Sequence, residues 1–110
     1  MAEVKNSLAI KVGPLDAIPE GQGRCFLVGS KGIAVFRQRD GRVFAVENRC
    51  PHGNGPLAEG LVGNGHVICP LHAHRFDLET GEGAEPGECV AAFETDIVNG
   101  EVVLNGCVTA

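Results

Sequence analysis

The feature that most constrains this chain is a pair of short clusters: Cys50-Pro51-His52, a sixteen-residue interval from Gly53 to Ile68, then Cys69-Pro70-Leu71-His72. Two thiolate donors and two imidazoles in matching clusters make a metal site. Pro51 and Pro70 each remove a backbone donor and fix a dihedral beside the cysteine, so neither cluster belongs to a continuous helix or strand. The clusters read as two rigid loop tips facing each other, and the rest of the chain has to supply their frame.

That frame is all-β. Short runs of β-type residues recur at Leu8 to Val12, Cys25 to Val28, Ile33 to Arg37, Val43 to Glu47, His66 to Cys69, Arg75 to Leu78, Cys89 to Val98 and Glu101 to Leu104. Asp40-Gly41, Asn64-Gly65 and Asn99-Gly100 stand between such runs, the signature of antiparallel hairpins with tight turns. Most runs are short and apolar rather than alternating, which fits strands buried on both faces of a small sandwich. Leu57 to Val62 holds at most a helical turn, limited by Gly60 and Gly63. The segment from Gly53 to Gly65 therefore reads mostly as a loop, long enough to need a purpose such as building a metal pocket. Gly53 and Gly55 let the backbone approach a bound group closely.

With 110 residues and an ordinary globular composition, the chain is expected to form one domain. A formal charge of −5, with nine Lys and Arg spread along the sequence, argues against a nucleic-acid partner. No run approaches the roughly 20 apolar residues needed to cross a bilayer, and the opening residues lack the pattern of a signal peptide, so no membrane partner and a cytoplasmic location are expected. Five cysteines, an odd number, read better as thiols and metal ligands than as a disulfide framework. Cys25, Cys89 and Cys107 have β-like neighbours and read as small buried hydrophobes. His66 and His74 read as polar or surface residues, with tuning of the site as the alternative role for His74, which lies two residues from His72. Asp77, Glu79, Glu82, Glu85 and Glu88 form an acidic run, by default a solvated face and otherwise a docking face for a basic partner.

Donor softness alone leaves tetrahedral zinc and an iron–sulfur cluster both open. Zinc-finger spacing usually pairs like with like, whereas each loop here contributes one Cys and one His. If thiolates went to one iron and imidazoles to the other, each loop would touch both metals of a two-iron cluster.

Cys50-x-His52 followed by Cys69-x-x-His72 resembles the Rieske 2Fe-2S motif, and residues 49–81, with Gly55-Pro56-Leu57, Glu59-Gly60, Phe76-Asp77 and Thr80-Gly81, resemble the soluble, ferredoxin-type members. The resemblance implies the Rieske fold: an antiparallel β-sandwich over residues 1–110, with a cluster-binding subdomain of two loops at about residues 48–80. It implies one 2Fe-2S cluster, with Cys50 and Cys69 on the inner iron and His52 and His72 on the outer, solvent-facing iron that takes up the electron. Pro86 resembles the proline of the loop covering the cluster. High-potential Rieske proteins carry an extra cysteine in each loop, joined as a disulfide; Gly55 and Leu71 stand in those places, and Ala73 replaces a hydroxyl that would bond a sulfide. The expected potential is therefore at the low end of the Rieske range, near about −150 mV.

The implied function is one-electron transfer from a flavin reductase or flavin-containing subunit to a terminal redox enzyme, with no stand-alone catalytic site. Rieske oxygenase catalytic subunits need a further domain for mononuclear iron, for which 110 residues leave no room. Two families share the carrier role: ferredoxin components of multicomponent dioxygenases, whose partner is a terminal oxygenase, and the small subunit of assimilatory NAD(P)H nitrite reductase, whose partner is the large subunit. Ile33-Ala34-Val35-Phe36-Arg37, Glu88-Cys89-Val90 and Pro51 resemble the nitrite reductase subunit, while Ala73-His74 departs from both. The alternative of another class is a structural zinc module that binds another protein.

Overall fold

In a computed structural model, residues 10–29, 31–48, 56–69, 74–83 and 89–107 are described. Nine strands are assigned among them: β1 Ile10–Pro14, β2 Gln22–Val28, β3 Lys31–Arg37, β4 Val43–Glu47, β5 Leu61–Gly63, β6 His66–Ile68, β7 Arg75–Asp77, β8 Ala92–Val98 and β9 Glu101–Cys107. Two of the predicted hairpin turns have the backbone their residues favour, with φ of 52° and 76° at Asn64 and Gly65 and of 53° and 80° at Asn99 and Gly100. Positive φ at both central residues matches the twist of the flanking strands. At Asp40-Gly41 the connection is longer, closed by Gln38 N donating to Arg42 O and Gly41 N donating to Gln38 O.

All strand pairings among the described residues are antiparallel. The strands form a six-stranded sheet in the order β1-β9-β8-β4-β3-β2 and a three-stranded sheet β5-β6-β7. The large sheet curls towards a barrel, bringing Gly13 of β1 against the Phe26 ring of β2, where an added Cβ would stand 2.6 Å from the ring. Residues directly opposite across a ladder share a face, and the pairs Val35↔Ala45 and Ala34↔Val46 sort the two faces of β3 and β4.

One face, with Ile33, Val35 and Ala45, packs on Ile18, Val102 and Leu104 inside the curl. The opposite face, with Ala34, Phe36, Phe44, Val46 and Ala92, packs on Leu57, Val67, Cys69, Phe76, Leu78 and Val90 of the segment that holds the small sheet. Strands β3 and β4 are thus buried on both faces, as their unbroken apolar runs predict. Strands β2 and β8 are half exposed.

Three expectations need correction. Leu57–Glu59 makes a single 3-10 turn, but Leu61–Gly63, read as loop, is strand β5, paired with β6 through Leu61↔Ile68, Val62↔Val67 and Gly63↔His66. The last predicted long run starts at Ala92 rather than Cys89, which makes only an isolated bridge to Glu82. Cys25 and Cys89 are exposed rather than buried. Cys25 lies on β2, at the edge of the large sheet, and its cross-strand neighbourhood includes Gly32, which offers no side chain to cover it. The Cys107 side chain lies outside the described residues.

Candidate metal centre

Of the four predicted ligands, Cys69 is described, while Cys50, His52 and His72 lie outside the described residues, as do Gly55, Leu71, Ala73 and Pro86. Cys69 follows β6 directly and is 1% exposed within the core shared by the two sheets. Its N–H donates to the carbonyl of His74 at 2.7 Å, one step beyond the Ile68↔Arg75 pair. Residues 70–73, which include His72, therefore connect two hydrogen-bonded positions at the end of the β6–β7 hairpin.

The first cluster springs from β4. Asn48, the residue after that strand, donates its N–H to Gly32 O at 3.0 Å and accepts from Ala58 N through Oδ1 at 2.8 Å. Asn48 thus ties the end of β4 to the 3-10 turn in front of β5. Asn48 and Cys69, the described residues beside the two motifs, are both hydrogen-bonded at strand ends, the kind of rigid scaffold on which loops carry function.

The donor chemistry fits a cluster. A thiolate in an apolar core carries a large desolvation penalty unless a metal takes its charge, and metal-bound cysteine is deprotonated outright. Cys69 sits in such a core, with Leu57, Val67, Phe76 and Leu78. Among the described residues, no group of three or more His, Cys, Asp or Glu stands close enough to hold a metal ion.

His66 and the described part of the acidic run are at least partly exposed. His66 places Nδ1 3.0 Å from Asn64 O and Nε2 3.8 Å from Asp77 Oδ2, with 42% of its side chain exposed. Of the acidic run, Asp77, Glu79 and Glu82 are described. Asp77 Oδ1 accepts from the N–H groups of Glu79 and Thr80 at 2.8 and 3.0 Å, and Asp77 O accepts from Gly81 N at 2.8 Å. This turn holds Glu79 and Glu82 exposed in a fixed frame. What sequence reasoning missed is the pair of amides Gln38 and Asn48. Asn48 lies two residues before Cys50, which is the signal that could have singled it out.

No described helix is long and apolar enough to cross a membrane. Comparison with known proteins matches residues 10–105 to the Rieske-like [2Fe-2S] domain. The anthranilate 1,2-dioxygenase ferredoxin subunit of Burkholderia cepacia is 38% identical over 96 residues, covering 86% of this chain and 88% of its own. The ferredoxin of carbazole 1,9a-dioxygenase from Nocardioides aromaticivorans superposes with a TM-score of 0.79 at 28% identity, covering 91% of this chain and 99% of its own. A putative nitrite reductase NADPH small subunit superposes with a TM-score of 0.79 at 25% identity, covering 87% of this chain and 96% of its own. By its buried cysteine, its two-sheet frame and the match along nearly its whole length, the chain belongs to the Rieske-like [2Fe-2S] domain family and carries one Rieske 2Fe-2S cluster.

Proposed function

We propose that this protein is a low-potential, one-electron carrier and that Cys50, His52, Cys69 and His72 hold its cluster, cysteines on the inner iron and histidines on the outer. When bound, the cluster takes up and releases a single electron. The chain's part is to hold and shield it: Cys69 anchors from the apolar core, while the segments carrying His52 and His72 supply neutral donors, which lower the negative charge at the site and ease reduction. The single observation that carries this reading is the ferredoxin-subunit likeness, which runs along most of both chains with the buried Cys69 at a predicted ligand position. We further read residues 1–110 as one Rieske domain, with about residues 48–80 as its cluster-binding part, working in the cytoplasm. Exposed Cys25 and Cys89 suit a reducing compartment.

The electron donor in this reading is a flavin-dependent reductase and the acceptor a terminal oxygenase component, which the dioxygenase ferredoxin relatives favour. The nitrite reductase large subunit is the second reading, favoured by the superposition on a putative nitrite reductase small subunit and by Pro51. The acidic turn of Asp77, Glu79 and Glu82 suits a partner with basic residues, so association should weaken as salt rises.

Aerobically purified protein should be red-brown and, after dithionite, give a rhombic EPR signal of average g below 2, with a potential near about −150 mV. Cys50→Ala should lose the cluster, and His52→Cys should lower the potential of any cluster it keeps. Colourless protein with stoichiometric zinc would establish the structural zinc module instead, and a potential well above zero would overturn the low-potential assignment. Capture of an oxygenase component, as against a sirohaem flavoprotein, separates the two partner readings.

A further inference from the structure

Two side-chain amides of the large sheet reach backbone N–H groups of the segment that carries the small sheet. Gln38, just beyond β3, is 6% exposed, the one buried polar side chain among the described residues. Its Oε1 accepts from Gly65 N in the β5–β6 turn, and its Nε2 donates to Asp40 Oδ2 at 2.9 Å. Asn48, just beyond β4, accepts through Oδ1 from Ala58 N at 2.8 Å. The two amides stand at opposite ends of the β3–β4 hairpin, Gln38 at its turn and Asn48 at its open end. Gly65 is buried and Ala58 only 7% exposed, so water is poorly placed to replace either acceptor.

Each contact leads along the chain to one pair of ligands. Asn48 precedes Cys50 by two residues, and Gly65 opens into the three residues of β6, which Cys69 follows directly. Gly65 is held on both sides, because its carbonyl accepts from Leu78 N at 2.7 Å. The hydrophobic attraction in the apolar core between the sheets is non-directional, whereas a hydrogen bond has a preferred length and angle. We propose that Gln38 and Asn48 are positioning residues that set the separation of the two ligand-bearing segments, Asn48 for the Cys50–His52 pair and Gln38 for the Cys69–His72 pair. The proposal rests on the four-ligand reading above. A purely structural role would make the amides contribute to stability and leave the cluster's own properties alone.

The test compares holoprotein of the wild type with Gln38→Met and Asn48→Leu, which keep side-chain volume and remove the acceptor, and with Asn48→Asp, which keeps it. Gln38→Glu combined with Asp40→Asn keeps the acceptor at the other end without setting two carboxylates together. The measurements are the EPR spectrum of the reduced cluster, its reduction potential, and the rate of iron release to a chelator. Gln38→Met and Asn48→Leu are expected to broaden the g-values, shift the potential, and release iron roughly tenfold faster, the factor for a lost buried hydrogen bond of ordinary strength. The two acceptor-keeping variants are expected to follow the wild type in EPR spectrum and iron release, and the charge-neutral Gln38→Glu with Asp40→Asn in potential as well, whereas the charge added by Asn48→Asp lowers the potential on its own account. If the acceptor-less variants melt earlier yet keep wild-type EPR, potential and iron release, the amides are stabilising only and the proposal fails. Should Gln38→Met prove insoluble, Asn48→Leu against Asn48→Asp carries the same test. A wild type without the rhombic signal overturns the four-ligand reading itself, and this proposal with it.

Discussion

Gly60 stands between the Leu57–Glu59 turn and β5, with φ −79° and ψ 173°. Any residue adopts that conformation, so glycine is required there by space alone. An added Cβ would stand 2.2 Å from the carbonyl oxygen of Ile68 and 3.0 Å from Val67 Cγ2. Close carbon–oxygen contacts lie at about 3.3 Å, so the alanine and the Ile68 peptide have to part by about 1 Å. That peptide has little freedom, since Ile68 pairs with Leu61 on one side and Arg75 on the other and leads straight into Cys69.

Overpacking typically costs about 1–3 kcal/mol, and a backbone obstacle belongs in the upper half of that range. For a domain of this length each 1 kcal/mol lowers Tm by about 4 °C, so Gly60→Ala should melt about 8–12 °C early. Gly63→Ala is the control, because its Cβ would meet nothing within 4 Å, and its effect should stay within about 0.5 kcal/mol. Thermal melts read by far-UV circular dichroism and by visible absorption test this, and the colour of Gly60→Ala should bleach ahead of its backbone transition. A Gly60→Ala melt within about 2 °C of wild type would refute the steric reasoning.

The correction at the cysteines gives a second test: in the native holoprotein Cys25 and Cys89, both exposed, should be labelled by a maleimide, while Cys69, 1% exposed, should be protected until the protein unfolds. Mass spectrometry of the labelled peptides reads this, and rapid labelling of Cys69 alongside the others would contradict its placement. A third concerns Asp40, whose carboxyl is held below the usual carboxylate range by the backbone N–H of Arg42, then by the Gln38 amide and the Arg42 side chain. A lowered folded-state pKa contributes stability above the unfolded value that is lost as pH falls through the folded one. The small advantage of wild type over Asp40→Asn should therefore hold at neutral pH and fade in acid below about pH 4, read from urea midpoints against pH.

Much of the fold was legible because its signals are local. Asn64-Gly65 and Asn99-Gly100 demand left-handed backbone, and an apolar run such as Val43 to Glu47 demands two covered faces, so turns and central strands fall where sequence places them. Strand β5 was illegible because three residues bounded by Gly60 and Gly63 carry no period, and only pairing with β6 makes them a strand. Cys25 was misread because burial tendency is a property of residue type, while its exposure comes from the strand's place at a sheet edge. At the candidate site the Cys-His pattern from which the ligands are proposed was visible, being a spacing. The amides of Gln38 and Asn48 were not, since contacts spanning 27 and 10 residues leave no periodic trace.

The division into two cores sets how the protein should respond to losing its cluster. The core inside the curl is built from Ile18, Ile33, Val35, Ala45, Val102 and Leu104, all in the large sheet or its connections, and needs nothing from the small one. The other core takes Leu57, Val67, Cys69, Phe76 and Leu78 from the cluster-bearing segment. That segment's sheet has three strands of three residues each, too little to stand without what it packs on. Under the proposed ligation at Cys69, the metal bond is a stabilising contact made only in the native state, and its removal would subtract free energy locally rather than evenly. Chelation should therefore free the amides of Val67, Phe76 and Leu78 to exchange with solvent well before those of Val35, Ala45 and Val102, a separation that hydrogen-exchange mass spectrometry resolves by peptide. A chelated protein that exchanges both groups together would mean that the two cores fold as one cooperative unit, because the shared strands β3 and β4 transmit the loss from one face to the other.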